Sequence, residues 1–211
     1  MFDLDGTITR HDTLGAYLAG FLRSHPARLA HLPLVLAALA RFALLNPDRG
    51  ALKSACIRAV LGGASRSEIQ GWTARFVPQL VRDDVRADAR AAIAAHRDAG
   101  DHLVLLSASP DLYVPAIGRA LGFDEVVCTG VEWDGERLSG RLTTANRRGA
   151  EKARCLGALR QQYPQLPIVA YGNATADLAH LALADRGVLV NGSSAARRRA
   201  AELGVAPAVW H

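Results

Sequence analysis

The 211-residue chain is poor in lysine: Lys53 and Lys152 are the only two, against twenty-three arginines. A general preference for arginine accounts for most of this bias, which makes the two surviving lysines worth following. Cysteine is also scarce. Cys56, Cys128 and Cys155 are scattered, with no CxxC pair and no histidine at ligand spacing. That excludes a disulfide scaffold and a structural zinc site, and fits a reducing cytoplasm. Aromatic residues make up only 6% and the arginines are dispersed, so the basic, aromatic-interleaved stripe of a nucleic-acid binder is missing. Asp3 stands where the apolar core of a signal peptide would begin, so none is expected. The most apolar run, Leu32 to Leu45, has fourteen residues and is interrupted by Arg41, short of a bilayer span. It reads as a buried or partner-facing helix. The alternative is a helix resting on a membrane surface or gripping an acyl chain, aided by Arg23, Arg28, Arg41 and Arg49.

What is present describes a folded chain. Apolar residues at 50% and charged residues at 21% are globular values, and the length suits one domain or one domain with an inserted module. The net charge of +5 suits an anionic substrate or surface. From Thr13 to about Ala99 the chain is rich in Ala, Leu and Arg, and breaks at His25-Pro26, Asn46-Pro47, Gly62-Gly63 and Asp83-Asp84. Helices are predicted near 13–24, 27–45, 48–61, 66–80 and 84–99, with Ser65 and Glu68 forming a capping box. After Gly100, short apolar runs at 102–106, 125–128, 167–171 and 187–190 alternate with helical stretches at 111–121, 149–162, 174–184 and 194–203. Such alternation predicts a parallel sheet covered on both faces. Phe2-Asp3-Leu4 is a further, badly shortened strand, and residues 131–142 form a hairpin turning at Asp134-Gly135. The predicted fold is therefore an α/β core with a Rossmann-like parallel sheet, its first strand separated from the rest by an all-helical insert. No internal repeat or low-complexity tract interrupts it.

Ligands in open α/β sheets sit beyond the carboxyl ends of the strands, and four predicted strand ends carry polar clusters. Asp3-Leu4-Asp5-Gly6-Thr7 sets two carboxylates one residue apart, with a glycine that lets the strand break. Alone this pattern is equally a turn; the ligand spacing of a calcium loop is missing. Leu105-Leu106-Ser107-Ala108-Ser109 carries a hydroxyl out of an apolar strand towards a helix, an anion-binding arrangement, with Ser109 as an N-cap before Pro110. Gly149-Ala150-Glu151-Lys152 places a lysine in the first turn of a helix, where the dipole disfavours cations, so an anion is expected beside it. Tyr171-Gly172-Asn173-Ala174-Thr175-Ala176-Asp177 ends a strand with an amide and a carboxylate four residues apart.

In that order, FDLDGT, LLSAS, GAEK and YGNATAD resemble the four motifs of the haloacid dehalogenase superfamily, most closely its phosphoserine-phosphatase-like branch (subfamily IB), over residues 2 to 190. The resemblance implies a core of 1–12 and 88–211 and a helical cap of 13–87, with hinges near Gly15 and 83–88. It implies Asp3 as the nucleophile that forms an aspartyl-phosphate, Asp5 as acid then base, and Ser107 with Ala108 and Lys152 as holders of the phosphoryl oxygens. Mg²⁺ would be bound by Asp3, the carbonyl of Asp5, Asn173 and Asp177.

Three departures from the family pattern stand out. Asn173 replaces an aspartate and Ala174 a hydroxyl residue. Only two residues precede Asp3, so the native start is expected upstream or the first strand is weakly anchored. The branch's serine-binding cap residues are matched only loosely, by Asp12 with Lys53 or Arg58. The expectation is a cytoplasmic, Mg²⁺-dependent phosphomonoesterase acting on a small-molecule or lipid-borne phosphate, with possible peripheral membrane contact through 32–45 and no nucleic-acid partner. The alternative is a catalytically impaired protein of the same fold that binds a phosphorylated ligand.

Overall fold

In the computed structural model, which describes residues 1–45 and 48–211, strand β1 (Val104–Pro110) pairs in parallel with β2 (Glu125–Thr129). Strand β5 (Val169–Gly172) pairs in parallel with β6 (Arg186–Val190), and β6 with β7 (Ala206–Ala208). The shortened first strand joins the two groups. Phe2 bridges Leu105 on one side and Tyr171 on the other, both in parallel. Its N–H donates to Val104 O at 2.8 Å, its carbonyl accepts from Leu106 N–H at 2.8 Å, and Asp3 N–H donates to Tyr171 O at 3.0 Å. Counting Phe2 as the first strand, the described sheet has the order 3-2-1-4-5-6, whose direction reverses between the first strand and β5. That reversal is where the connecting chain leaves a crevice above the strand ends.

The side chain of Phe2 is 1% exposed and stacks on Tyr171 at 4.5 Å, with Phe123 edge-on at 5.7 Å. Of the four apolar runs that gave the strand predictions, two are the buried residues Leu103–Leu106 and Val188–Val190, and those at 125–128 and 167–171 are mostly half-buried. Helices α5 (Ala87–Asp98), α6 (Val114–Leu121), α7 (Ala150–Gln162), α8 (Leu178–Leu181) and α9 (Ser194–Glu202) flank them. Strand β7 was not foreseen. Pro207 gave it no strand signal, and an edge position is where a sheet tolerates proline.

The helical insert holds α1 (Thr13–Ser24), a 3₁₀ turn (Pro26–His31), α2 (Leu32–Leu45), α3 (Arg49–Leu61) and α4 (Arg66–Asp83). The predicted break at Asn46-Pro47 lies outside the described residues. Ser65 and Glu68 form the expected capping box, each side chain bonded to the other's backbone N–H at 3.2 and 2.7 Å. The hairpin of β3 (Val131–Asp134) and β4 (Arg137–Leu142) turns at Gly135 (φ +56°) and braces α3. Ser54 Oγ donates to Gly140 O at 3.0 Å, and a Cβ on Gly140 would come within 2.8 Å of the Arg58 backbone.

The two chain crossings into the insert pair with each other. Arg10 N–H donates to Asp84 O at 3.0 Å and Arg86 N–H to Ile8 O at 2.9 Å, with Thr9 bridging Val85. Gly15, expected near a hinge, lies in the first turn of α1 beside the first crossing, where its N–H donates to Asp12 Oδ1 at 3.1 Å.

Candidate active site

Past Phe2 the chain leaves the sheet in a wide turn. Gly6 has φ +79°, and Thr9 N–H closes the loop on Leu4 O at 3.0 Å. This turn fixes Asp3 at the end of the central strand. Its Oδ2 accepts from Thr7 Oγ1 at 2.9 Å and its Oδ1 from Lys152 Nζ at 2.6 Å. The carboxylate is only 6% exposed. Burial pushes it up from 3.8 to about 6, against the pull of Lys152 and helped by Asp177 and Asp5.

Lys152 lies in the first turn of α7, as its spacing from Gly149 predicted. Its ammonium is buried and donates also to Asp177 Oδ1 at 2.8 Å. Burial alone would lower this lysine, but the two carboxylates outweigh it and hold the group above its ordinary value. Asp177 is held below the usual carboxylate range: burial would raise it, and Lys152 with the N–H of Ala174 overcomes that. Its Oδ2 accepts from the backbone N–H groups of Asn173 (3.2 Å) and Ala174 (2.9 Å). Asp177 thus orders the loop that presents Asn173. Gly6 makes room for that loop, because a Cβ there would sit 2.1 Å from Asn173 Nδ2.

The second motif differs from its sequence reading. Strand β1 runs on to Pro110 and α6 starts only at Val114, with Tyr113 at its N-cap position, so Ser107 does not open a helix and Ser109 caps none. Ser107 Oγ is fully buried and accepts from Ser109 N–H at 3.0 Å. Ser109 Oγ donates instead to Asp5 Oδ2 at 2.7 Å, a bond to a charged acceptor that outweighs a cap. Thr13 N–H and Oγ1 both donate to Asp5 Oδ1 at 2.7 Å, tying the start of α1 to this carboxylate. Burial raises Asp5, opposed by the Ser109 bond, with Asp12 adding to the rise and Thr13 opposing it.

These groups share one cavity of about 470 Å³. Asp3, Asp5, Lys152, Asn173, Asp177 and the Ala108–Ser109 segment line its inner end; Ser107 is not on the wall. Leu14, Leu18, Leu39, Phe42, Leu52 and Cys56 form an apolar side, and Asp12, Arg49, Lys53 and Arg148 stand around it. Arg58 lies instead against the hairpin. Lys53 is not a stray surface residue. Its Nζ donates to Ala108 O and to Asn146 Oδ1 (2.5 Å), and burial pulls it down from 10.5 to about 8. The lysine scarcity that pointed to Lys152 was an equally good signal for Lys53. Thr7, Thr13 and Ser109 are contributed by residue types too common to stand out in a sequence. His180, also unforeseen, is buried with Nδ1 unpartnered and is held near 4 by burial and the Lys152 charge.

A family model for haloacid dehalogenase-like hydrolases matches residues 1–182. The chain belongs to that family. Protein CicA of Caulobacter vibrioides is 32% identical over 196 residues, covering 87% of this chain and 82% of that protein. Phosphoserine phosphatase SerB1 of Mycobacterium tuberculosis is 25% identical over 208 residues, covering 96% and 68%. A crystal structure of a Bordetella pertussis Tohama I protein of unknown function superposes with a TM-score of 0.81 at 21% identity, covering 98% of this chain and 95% of that one. The resemblance to the phosphoserine-phosphatase-like branch holds within that family of hydrolases.

Whether this haloacid dehalogenase-like site suits a divalent cation turns on its charge and donors. Three carboxylates face a single buried ammonium, an excess of negative charge that a cation would relieve. Among the described residues no three His, Cys, Asp or Glu side chains converge as a ready cage. An ion there must use amide, backbone and water oxygens as well. Mg²⁺ accepts such a set, since it prefers oxygen and retains several waters. The donors fit it.

Proposed function

We propose that the chain is a Mg²⁺-dependent phosphomonoester hydrolase working through an aspartyl-phosphate on Asp3, with the helical segment 13–87 acting as its cap. The observation that carries this reading is the buried Asp3–Lys152–Asp177 chain of ion pairs at the end of the central strand. Asp3, the backbone carbonyl of Asp5 and Asn173 would hold the metal. Asp177, whose Oδ2 accepts from the N–H groups of Asn173 and Ala174, would orient Asn173 and add its own charge to the set directly or through a water. When bound, Mg²⁺ neutralises charge on the phosphoryl oxygens, so that a carboxylate can approach them.

The chain's own residues do the rest. Asp3 Oδ attacks phosphorus as the ester P–O bond breaks, and Lys152 holds Asp3 in line while balancing the transferred oxygens. Asp5, raised by burial and fixed by Thr13 and Ser109, gives its proton to the leaving oxygen. It then takes a proton from the water that hydrolyses the aspartyl-phosphate, restoring Asp3 and releasing inorganic phosphate. The N–H of Ala108, at the cavity wall, would donate to a phosphoryl oxygen.

Asp3→Asn tests the reading. Phosphate release from p-nitrophenyl phosphate with Mg²⁺ present should vanish, since an amide cannot attack phosphorus; a wild-type rate overturns the mechanism. Phosphate binding by the unaltered protein without any turnover would support the ligand-binding alternative that Asn173 raises. A second measurement addresses the metal. Asn173→Asp adds a charge at the proposed ligand, so Mg²⁺ titration should show tighter binding; unchanged affinity would remove Asn173 from the ligand set.

A further inference from the structure

Apart from Arg41, helix α2 is apolar around its circumference, yet the fold covers only one side. Val35, Ala38 and Phe42, spaced to share a face, are half-buried against the rest of the insert. Leu34, Leu36, Leu44 and Leu45 point away, 58–82% exposed. A helix apolar all round is normally enclosed by protein or lipid. With the preceding 3₁₀ turn it forms a 20-residue stretch, Pro26–Leu45, in which an 18-residue window has a mean hydropathy of 1.6. The fourteen-residue count from sequence therefore understated it: by length and composition the stretch could cross a membrane. Its fit to the cavity through Leu39 and Phe42 requires the helix to stay on the protein instead.

Two further observations say what covers the outer face. The first is continuity. Leu39 is 45% exposed and also lines the candidate active-site cavity, so the outer apolar surface runs without a break into the cavity wall. The second is charge. Arg23, Arg41 and Arg49 are exposed around the helix, and Asp48 is the sole acidic residue between positions 23 and 49. A second copy seated symmetrically on this patch would bring those arginines against one another. An anionic bilayer would meet both the leucines and the arginines.

We propose that α2 seats the protein on an anionic lipid surface, and that the substrate of the site is a phosphomonoester lipid drawn from that surface. This rests on the hydrolase reading above. The lipid's phosphate reaches Asp3 past Leu39 and Phe42. A cavity of about 470 Å³ takes a headgroup and the first carbons, while the acyl chains remain in the bilayer beside α2. Water and the lipid phosphomonoester give the lipid alcohol and inorganic phosphate, with the P–O bond broken as already described.

The test uses the full chain and its quadruple variant Leu34→Gln, Leu36→Gln, Leu44→Gln and Leu45→Gln, none of which lines the cavity. Flotation is measured with phosphatidylcholine vesicles with and without phosphatidylglycerol. Phosphate release is measured from phosphatidic acid in those vesicles and from soluble p-nitrophenyl phosphate. The unaltered protein should float only with the anionic vesicles and release phosphate from the embedded lipid. The variant should stop floating and lose at least ~100-fold in lipid turnover, a fraction of what burying four leucines contributes. Its rate on the soluble ester should not change.

Equal loss on both substrates, or undiminished flotation, overturns the proposal. So does a dimer that the variant dissolves together with no flotation of the unaltered protein, which would assign the face to a second copy. The two readings fail differently. Hydrolysis of the soluble ester without flotation or lipid turnover defeats the lipid proposal alone; flotation without turnover of either ester defeats the hydrolase reading. Asp3→Asn should float normally and release nothing.

Discussion

Asp3 is held where its charge costs stability. Its pKa moves from 3.8 to about 6 on folding, so the folded chain binds the extra proton between those values. The contribution of Asp3 to stability is greatest below 3.8 and is lost as pH rises through about 6. At pH 7 the native protein carries the penalty in full. Asp3→Asn should therefore raise Tm at pH 7 by a few degrees, on the scale of ~1–2 kcal/mol, while turnover disappears. Calorimetry of the two proteins checks it: the gain should shrink as pH falls through about 6 and be gone below 3.8. Asp177 has the opposite sign. Its lowered pKa gives stability that is present above the ordinary carboxylate value and lost as pH falls through the folded value. Asp177→Asn should lower Tm at pH 7, because it removes a partner of the buried Lys152 and loosens the 173–174 backbone. Lys152→Arg keeps the charge but brings a wide planar fork into a space fitted to a point charge between two carboxylates. Its kcat should fall at least ~100-fold, the scale of losing one preorganised stabiliser.

Elements carry these residues, and the sequence shows the elements more clearly than their ends. Apolar β-branched runs and turn residues placed the strands β1, β2, β5 and β6; β1 and β6 are buried almost throughout, while β2 and β5 are half-buried and were marked by their composition. Where β1 stops was not legible. Ser107-Ala108-Ser109 has the chemistry of a helix start, but the pull of the Asp5 carboxylate on Ser109, acting across the crevice, keeps the segment extended, and no local rule contains that contact. Asp3, Asp5 and Lys152 were legible through the order of four polar clusters on four strand ends, since each cluster alone has a plain structural reading. Lys53 stood out by the same scarcity of lysine, but its partners Ala108 and Asn146, distant in the chain, were not legible. It links α3 to the end of β1 at the cavity. Lys53→Met should raise KM for phosphate esters by ~10-fold with a smaller effect on kcat, in line with losing one hydrogen bond from a charged donor. Steady-state kinetics at pH 7 would separate the two.

For the molecule as a whole, order along the sheet decides where chemistry can occur. The reversal between the first strand and β5 brings Asp3 and Asn173 to one crevice although 170 positions separate them. The architecture was readable from alternating helix and strand texture; the edge strand β7 and the mutual pairing of the two crossings into the insert were not, since both depend on backbone contacts at long range. The joint at Phe2 has a mechanical corollary. On one side β1 and β2, and on the other β5 to β7, are joined through Phe2, which bridges one residue on each flank, and through the Met1 ammonium on Val169 O at 2.7 Å, so the thinnest cross-section of the sheet passes through the strand that carries Asp3. If the domain yields anywhere under thermal load, it should part along that seam. Amide exchange would then appear at Phe2, Asp3, Leu106 and Tyr171 before Val188 or Leu189, and a ligand bridging Asp3 to Asn173 would act as a stitch across the seam, slowing those amides together.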